Sequence, residues 1–250
     1  MTITFLTNGG THGQCILQAL RRRNLLPSTI LIERPPNSRL ARLRRSINKY
    51  GVWETALDVL AFVGSKLAVR SNSAARFRYE DYASAVFTVA DFNHPDAVAL
   101  VQSGAPDLLV LGGSRILRPP ILSTARLAVL NAHPGQLPTY RGVDVVPWAI
   151  YNGHIPVVSV HCVDAGVDTG AVVSEQPLSI EVGDTISTLR RKAERLAGEM
   201  MAEAVQSILE TRTVKSARQP ECEGKQYYRM PRQLMRQAEN RLRCQWKPHA

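Results

Sequence analysis

Cysteine is scarce in this chain. The four cysteines stand far apart, and no two of them have the Cys-x-x-Cys spacing of zinc and redox motifs; they are Cys15, Cys162, Cys222 and Cys244. A zinc site or a disulfide framework is therefore not expected, and reduced thiols in a cytoplasm are the simplest interpretation. The sequence offers no ligand cluster for another metal either.

Long apolar runs are missing as well. No uncharged apolar segment approaches the roughly 20 residues that span a membrane. The N-terminal segment Met1–Gly10 is too short, and reaches a turn too early, to be a signal peptide. These absences predict a soluble, cytoplasmic protein with no membrane span.

Acidic residues are fewer than basic ones. Asp and Glu number 21 against 31 Lys and Arg, which gives a formal net charge of +10. Such an excess favours anionic partners: phosphorylated or carboxylate-rich small molecules, nucleic acid, or an acidic membrane surface. The other proportions, 44% hydrophobic and 21% charged, are ordinary for a soluble globular protein. A chain of 250 residues can form one large domain, or one domain with a short appendage.

Segments typical of strands and helices alternate along the chain. A strand over about 2–6, the loop Asn8–Gly13, an apolar-striped helix and a strand over 29–33 form the opening of a doubly wound α/β fold. A long core helix, capped by Asp184 or Thr185, is predicted near the end. Further strands are predicted near 86–89, 107–111, 128–131, 157–163 and 171–175. We expect a Rossmann-like, three-layer α/β fold with a mostly parallel sheet and a short, basic, helical C-terminal extension.

Two regions depart from this alternation. We assign residues 1–218 to the main domain, 39–70 to a helical insertion within it, and 219–250 to the basic extension. The insertion is interpreted as a helical pair with a solvated basic face; a surface that touches a membrane or an anionic partner is the alternative. In the extension, basic residues among aromatics can bind nucleic acid, but an apolar stripe containing Leu234, Met235, Ala238 and Leu242 favours a docked helix.

Asn131 and His133 are the most informative pair of polar residues. Side chains at i and i+2 of an extended chain project to the same face, so both can reach one target. Pro134 disfavours a helical conformation at His133 and protects that geometry. An amide donor beside a titratable ring suits a reaction through a tetrahedral oxyanion. Taken singly, each residue would fit a purely structural role, but together they lie where α/β folds place ligands.

Two loops add candidate groups. In Asn8–Gly13, backbone N–H groups at a helix N-terminus can hold an anion, although a tight turn that needs glycine explains the loop equally well. In the loop that contains Asp164 and Asp168, the carboxylates fit a turn rich in Asp and Gly. The functional alternative places one of them beside His133, where it raises the basicity of the ring or carries a proton.

Two ordered motifs, about thirty residues apart, resemble the formyltransferase family that uses 10-formyltetrahydrofolate. They read Asn131-Ala-His133-Pro-x-x-Leu137-Pro138-x-Tyr140-Arg141-Gly142 and Asp164-x-Gly166-x-Asp168-Thr-Gly170. The family includes glycinamide ribonucleotide formyltransferase, the catalytic domain of methionyl-tRNA formyltransferase and amino-sugar N-formyltransferases. The match runs from about Pro106 to Gln206, and more loosely back to Met1.

The resemblance implies a formyltransferase with the catalytic trio Asn131, His133 and Asp168. A neutral primary amine would attack the formyl carbon, Asn131 and a protonated His133 would donate hydrogen bonds to the formyl oxygen, and Asp168 would hold the charged ring and help to move the proton. No metal is required. The implied cofactor contacts are Gly113, Ser114, Arg115, Ile116, Leu117, Val163, Asp164 and Asp168. To the acceptor we assign Gly10, Thr11, His12, Gly13 and Gln136.

Three differences between this sequence and members of the family indicate which kind of amine is the acceptor. Only about forty residues follow the long helix, fewer than the separate C-terminal domain of methionyl-tRNA formyltransferases needs. The loop Asn8–Gly13 differs from the glycine-serine-asparagine pattern of the glycinamide ribonucleotide enzymes, and 39–70 exceeds what they carry. We therefore expect a small-molecule acceptor: the amine of a phosphorylated or nucleotide-linked amino sugar, with glycinamide ribonucleotide or methionyl-tRNA as alternatives.

Other classes of function remain open alternatives. A non-catalytic Rossmann-like module that binds nucleic acid or another polyanion predicts salt-dependent binding and no folate affinity. The intact trio argues against that class, and nucleic acid is not the expected partner. A dinucleotide oxidoreductase built on the Gly-rich loop has less support, and a homodimer is compatible with the sequence.

Overall fold

The structure is a computed structural model that describes residues 1–34, 77–220 and 224–245, with the isolated positions 47, 52 and 56. The chain divides into two compact units, Met1–Glu33 with Tyr79–Ala250, and Arg34–Arg78. The predicted insertion at 39–70 belongs to the second unit and lies almost wholly outside the described residues. All features described below belong to the first unit.

A seven-stranded sheet with the order β3-β2-β1-β4-β5-β7-β8 forms the centre of this unit. The first five strands in that order run parallel, whereas β7 and β8 are antiparallel to their neighbours. The mostly parallel sheet is therefore confirmed. Its strands are β1 (Ile3–Thr7), β2 (Thr29–Glu33), β3 (Ala85–Val89), β4 (Leu108–Gly112), β5 (Ala128–His133), β7 (Val157–Cys162) and β8 (Val172–Pro177).

Helices cover both faces of the sheet, as a three-layer fold requires. They are α1 (Thr11–Arg22), α2 (Pro95–Ser103), α3 (Pro119–Leu122), α4 (Val145–Asn152), α5 (Ile186–Thr211) and α6 (Arg232–Gln245), with a 3-10 turn at Tyr79–Asp81. The long helix α5 begins where Thr185 accepts the N–H of Thr188 while the Thr188 hydroxyl accepts the Thr185 N–H. This reciprocal cap satisfies two N–H groups that a helix start leaves unpaired.

Apolar side chains fill the space between the layers. On one face, Leu6, Leu31, Leu109 and Val129 of four adjacent strands pack in one cluster with residues of α2 and α3. On the other, the predicted inner stripe of α1 is fully buried at Ile16, Leu17 and Leu20, and α1 packs against α5. Burial of each such side chain stabilises the fold by about 1.5–3 kcal/mol.

The described part of the C-terminal extension contains a helix and a short strand. Helix α6 buries Ala238 and Leu242 of the predicted apolar stripe, which confirms the docked helix. Before it, the short strand β9 (Lys225–Tyr227) pairs in parallel with β6 (Tyr140–Gly142) in a second, two-stranded sheet. No pattern in the sequence predicted this sheet. Among the described residues, no helix is long and apolar enough to cross a membrane.

Strand β5 extends further than predicted, and this positions the site. The expected end was Asn131, but the strand continues to His133 because Asn131 pairs with His161 of β7 and His133 pairs with Ser159. Regular strand geometry over these residues holds the Asn131 and His133 side chains on one face.

Candidate active site

His133 is buried, with 4% of its surface exposed, at the end of β5. Its Nε2 lies 2.7 Å from the carbonyl oxygen of Tyr140, and its Nδ1 lies 3.5 Å from Oδ2 of Asp168. Because a carbonyl oxygen only accepts hydrogen bonds, Nε2 must carry a proton. In the neutral ring Nδ1 is then the basic nitrogen, and it faces the carboxylate.

Burial lowers the pKa of His133, and the Asp168 charge and the Tyr140 carbonyl offset only part of this decrease. The ring is therefore neutral at neutral pH before substrates bind. With Nε2 engaged by Tyr140, this geometry favours a proton acceptor at Nδ1 over the predicted protonated donor to the formyl oxygen. Asp168 stands where it stabilises the imidazolium that proton uptake creates.

Asp168 is held by three polar contacts. Its Oδ2 accepts the N–H of Gly142 at 2.8 Å, and its Oδ1 lies 3.5 Å from Nε2 of His161. Burial alone would raise the pKa of Asp168, but the charge that His161 or His133 carries when protonated and the hydrogen bond from the Gly142 N–H lower it below its usual value. The residue has a left-handed backbone with φ of 53°, which aspartate tolerates better than most residues. It is an anion at neutral pH.

His161 also belongs to the site, although no sequence motif indicated it. Nδ1 of His161 lies 2.7 Å from the carbonyl oxygen of Cys162, so it carries a proton. Nε2 of the neutral ring then accepts a hydrogen bond from the Asn131 amide nitrogen at 3.2 Å. One N–H of Asn131 is thereby fixed, and the second is left to donate to a ligand. The one signal in the sequence was the place of His161 within a predicted strand of alternating residues. In the structure its side chain is buried, with 2% of its surface exposed.

Gly135 lies beside the hydrogen bond between His133 and the Tyr140 carbonyl, which orients the His133 ring. A Cβ atom at this position would lie 2.6 Å from Nε2 of His133 and 2.5 Å from the Tyr140 carbonyl oxygen. Both distances are far inside normal contact, so a methyl group would push the two atoms apart. The glycine of this turn is required by the close approach of His133 and Tyr140.

We expect Gly135→Ala to lower kcat by about tenfold or more, because small displacements of a catalytic group are costly. Steady-state kinetics would measure the loss, and thermal unfolding would report the folded fraction. Gly104→Ala serves as the control: Gly104 ends helix α2 with an ordinary right-handed backbone, and an added Cβ would meet only the Val101 carbonyl oxygen, at 3.4 Å. A Gly135→Ala enzyme with wild-type kcat would contradict the assigned geometry.

A cavity of about 380 Å³ opens above these residues, a size within the range of small-molecule sites. Asn131, His133, His161 and Asp168 form its polar part, and Leu111 and Val143 belong to its apolar part. All eight predicted cofactor contacts line it: Gly113, Ser114, Arg115, Ile116, Leu117, Val163, Asp164 and Asp168. The structure thus brings the two predicted loops to one cavity.

Arg115 has an additional partner at this cavity. Its Nε lies 3.1 Å from Oε2 of Glu33, a carboxylate that is 2% exposed at the end of β2, and Oε1 of Glu33 accepts the N–H of Phe92. The ion pair ties the loop after β4 to the end of β2. Within the described ranges, no cluster of three His, Cys, Asp or Glu side chains could hold a metal ion.

The five predicted acceptor residues, all described, do not line this cavity; they are Gly10, Thr11, His12, Gly13 and Gln136. Gly13 has a packing role, since a Cβ there would lie 2.6 Å from the Gly112 carbonyl oxygen. Burial, with repulsion from His133, lowers the pKa of His12 to about 4. His12 is therefore uncharged at neutral pH. It can form hydrogen bonds with an amine substrate but cannot form an ion pair with it.

The chain matches one protein family over most of its length. A family model described as formyl transferase matches residues 1–205. The methionyl-tRNA formyltransferase of Chlorobium chlorochromatii is 32% identical over 124 residues, which cover 49% of this chain and 40% of that protein. The phosphoribosylglycinamide formyltransferase of Mycobacterium tuberculosis is 37% identical over 132 residues, covering 49% of this chain and 61% of that protein. The chain thus spans about half the length of these relatives.

Solved structures share the fold. A phosphoribosylglycinamide formyltransferase from Bacillus halodurans superposes with a TM-score of 0.57 at 19% identity, over 85% of this chain and 97% of the other. An N-formyltransferase from Helicobacter canadensis, crystallised with folinic acid and dTDP-3-aminofucose, superposes with a TM-score of 0.58 at 14% identity, over 97% of this chain and 80% of the other. At these identities the likeness establishes the architecture alone.

Proposed function

This chain belongs to the formyl transferase family, and from that membership we propose that it transfers a formyl group from 10-formyltetrahydrofolate to a primary amine. The family uses this donor. One observation carries the proposal: Asn131, His133 and Asp168 meet at the polar end of one cavity. An amide donor, a basic nitrogen and a carboxylate are the groups that acyl transfer to an amine needs.

The cavity suits the folate donor by size and lining. Its volume of about 380 Å³ fits the ring system of a folate, with the remainder of so large a molecule extending outward. The backbone of the two predicted loops offers N–H and carbonyl groups to ring nitrogens, and Ile116 and Val143 are exposed apolar side chains in the lining. When bound there, the donor supplies an activated formyl carbon.

Asn131 supports the reaction by stabilising charge. When the amine attacks the formyl carbon, negative charge develops on the formyl oxygen, and the free N–H of Asn131 donates to it. Because His161 fixes the amide beforehand, no reorganisation is needed as the charge forms. Such a donor contributes about 10²–10³-fold in rate.

His133 and Asp168 transfer the proton that the attacking amine loses. As the new bond between nitrogen and the formyl carbon forms, the amine must lose a proton, and Nδ1 of His133 accepts it. The Asp168 carboxylate, 3.5 Å away, stabilises the resulting imidazolium. The same proton then passes to the folate nitrogen as its bond to the formyl carbon breaks, so the neutral ring is restored.

For the acceptor we favour a phosphorylated or nucleotide-linked amino sugar. The net charge of +10 supports an anionic molecule. Helix α1 supports it too, because its described first turn holds no acidic residue and its N-cap, Gly10, has no capping side chain. The positive end of that helix suits a phosphate.

The test mixes enzyme, 10-formyltetrahydrofolate and a panel of acceptors, and follows release of tetrahydrofolate by absorbance. The panel holds nucleotide-linked amino sugars, phosphorylated amino sugars, glycinamide ribonucleotide and methionyl-tRNA. We expect turnover with one amino-sugar class. Turnover only with one of the last two compounds would overturn the acceptor assignment, and no release with any amine would overturn formyl transfer.

A further inference from the structure

Gln219 lies past helix α5 and outside residues 1–205 that match the family, yet it touches the Asp168 loop. Its amide nitrogen donates to two carbonyl oxygens of that loop, that of Asp168 at 2.9 Å and that of Gly170 at 2.7 Å. Its amide oxygen accepts two hydrogen bonds from Arg141, at 2.7 and 3.2 Å. One half-buried side chain therefore connects the loop to strand β6.

The chemistry of the partners fixes the orientation of this amide. A guanidinium only donates hydrogen bonds and a carbonyl oxygen only accepts them. The Gln219 oxygen must therefore face Arg141, and its NH₂ group must face the loop. The four hydrogen bonds require a side chain with an acceptor oxygen and a donor NH₂ group. Glutamine is the one side chain of this length that has both.

The segment that carries Gln219 is anchored on both sides. Ala217 and Val172, at the start of β8, exchange two backbone hydrogen bonds of 2.8 Å. Further along, the carbonyl oxygen of Tyr227 in β9 accepts the N–H of Val143 at 3.1 Å. Gln219 thus lies two residues after a backbone position that is paired with β8.

The loop that Gln219 binds places the Asp168 carboxylate beside His133. Asp168 has a left-handed backbone, a conformation that persists where surrounding contacts impose it. Its carboxylate is bonded to the N–H of Gly142, the residue next to Arg141. The side chain of Asp168 and the side chain of Gln219 therefore join the same loop to the same strand, one through Gly142 and one through Arg141.

We infer that Gln219 is a positioning residue for Asp168, so that the C-terminal segment completes the active site. Gln219 acts by holding the Asp168 and Gly170 carbonyls, which keeps the carboxylate 3.5 Å from Nδ1 of His133. The kinetic part of this inference rests on the proposed function.

Gln219→Glu separates positioning from simple anchoring. The carboxylate retains the tie to Arg141, now as an ion pair, but has no N–H to donate and repels both carbonyl oxygens. We expect kcat to fall about tenfold or more, with the midpoint of thermal unfolding within a few degrees of wild type. Gln206→Glu is the matched control: Gln206 also accepts a hydrogen bond from an arginine, Arg23, on the α5 surface, and its variant keeps wild-type kcat.

Gln219→Met adds a test without new charge. Among the described residues, the titratable groups that face His133 are His12, His161 and Asp168, and Asp168 alone is anionic. If Asp168 moves away, the pKa of His133 falls further. The acidic limb of the pH profile of kcat/KM then shifts to lower pH, a change that a merely structural role would not cause.

A third readout needs no activity. Gly142 donates its N–H to Asp168, whereas the neighbouring Val143 donates to Tyr227. By NMR, amide exchange in Gln219→Glu should accelerate at Gly142 and stay unchanged at Val143. The exchange result thus tests the inference even if the wild-type protein releases no tetrahydrofolate, an outcome that would refute only the proposed function.

Three results would overturn the inference. The first is wild-type kcat in both variants. The second is full kcat in Gln219→Glu with loss only in Gln219→Met, since anchoring to Arg141 would then suffice. The third is unchanged protection of the Gly142 amide in whichever variant folds.

Discussion

Asp168→Asn is expected to lower kcat by about 10²–10⁴-fold, the usual contribution of a positioned acid or base. Asparagine has the same shape, tolerates the left-handed backbone and can still accept the N–H of Gly142. What it lacks is the charge that stabilises protonated His133. Without this charge the pKa of His133 falls further, so the acidic limb of kcat/KM moves to lower pH and its plateau drops.

Asp107→Asn is the matched control for this prediction. Asp107 is also a buried, ion-paired carboxylate, bound to Arg126 and to the Thr2 N–H, and hydrogen bonds lower its pKa despite its burial. It precedes β4, at the opposite end of the sheet from the cavity. Its variant should lose stability and keep kcat. If Asp168→Asn retained kcat within a few-fold of wild type, Asp168 would not be the partner of His133.

Asn131→Ala is expected to lower kcat by about 10²–10³-fold, the effect of removing one oxyanion donor. KM for the folate should change little, because the interaction develops only as charge forms on the formyl oxygen. Steady-state kinetics with both substrates varied separates the two constants. A rise in KM with unchanged kcat would assign Asn131 to ground-state binding and contradict its role as an oxyanion donor.

Local sequence patterns predicted most of the fold. Strand β2 was expected over 29–33 and is observed over those residues, because consecutive apolar residues and a following proline pair define it. The trio came from two short motifs: Asn131 and His133 lie at the end of β5, and the loop after the antiparallel β7 brings Asp168 to them. The cavity that they share with all eight cofactor positions lies where the parallel strands β4 and β5 end, and the loop after the antiparallel β7 completes it.

Contacts between distant segments could not be predicted in this way. His161 orients Asn131 only because β5 and β7 pair in a particular register, which no local pattern in either strand specifies. Strand β9 is three residues long, too short for periodicity, and Gln219 stands in a polar stretch that a solvated tail explains equally well. The role of the extension beside Asp168 becomes visible only once its partners are known.

Following an isotopically labelled formyl carbon shows whether this protein transfers the formyl group to an amine with the help of Asp168. Enzyme in excess over labelled 10-formyltetrahydrofolate is mixed with the acceptor that supports turnover, quenched over time and analysed by mass spectrometry. We expect the label to appear on the acceptor amine as tetrahydrofolate is released, and Asp168→Asn to slow both together. Label recovered as free formate, or carried to the amine equally fast by the variant, would contradict it.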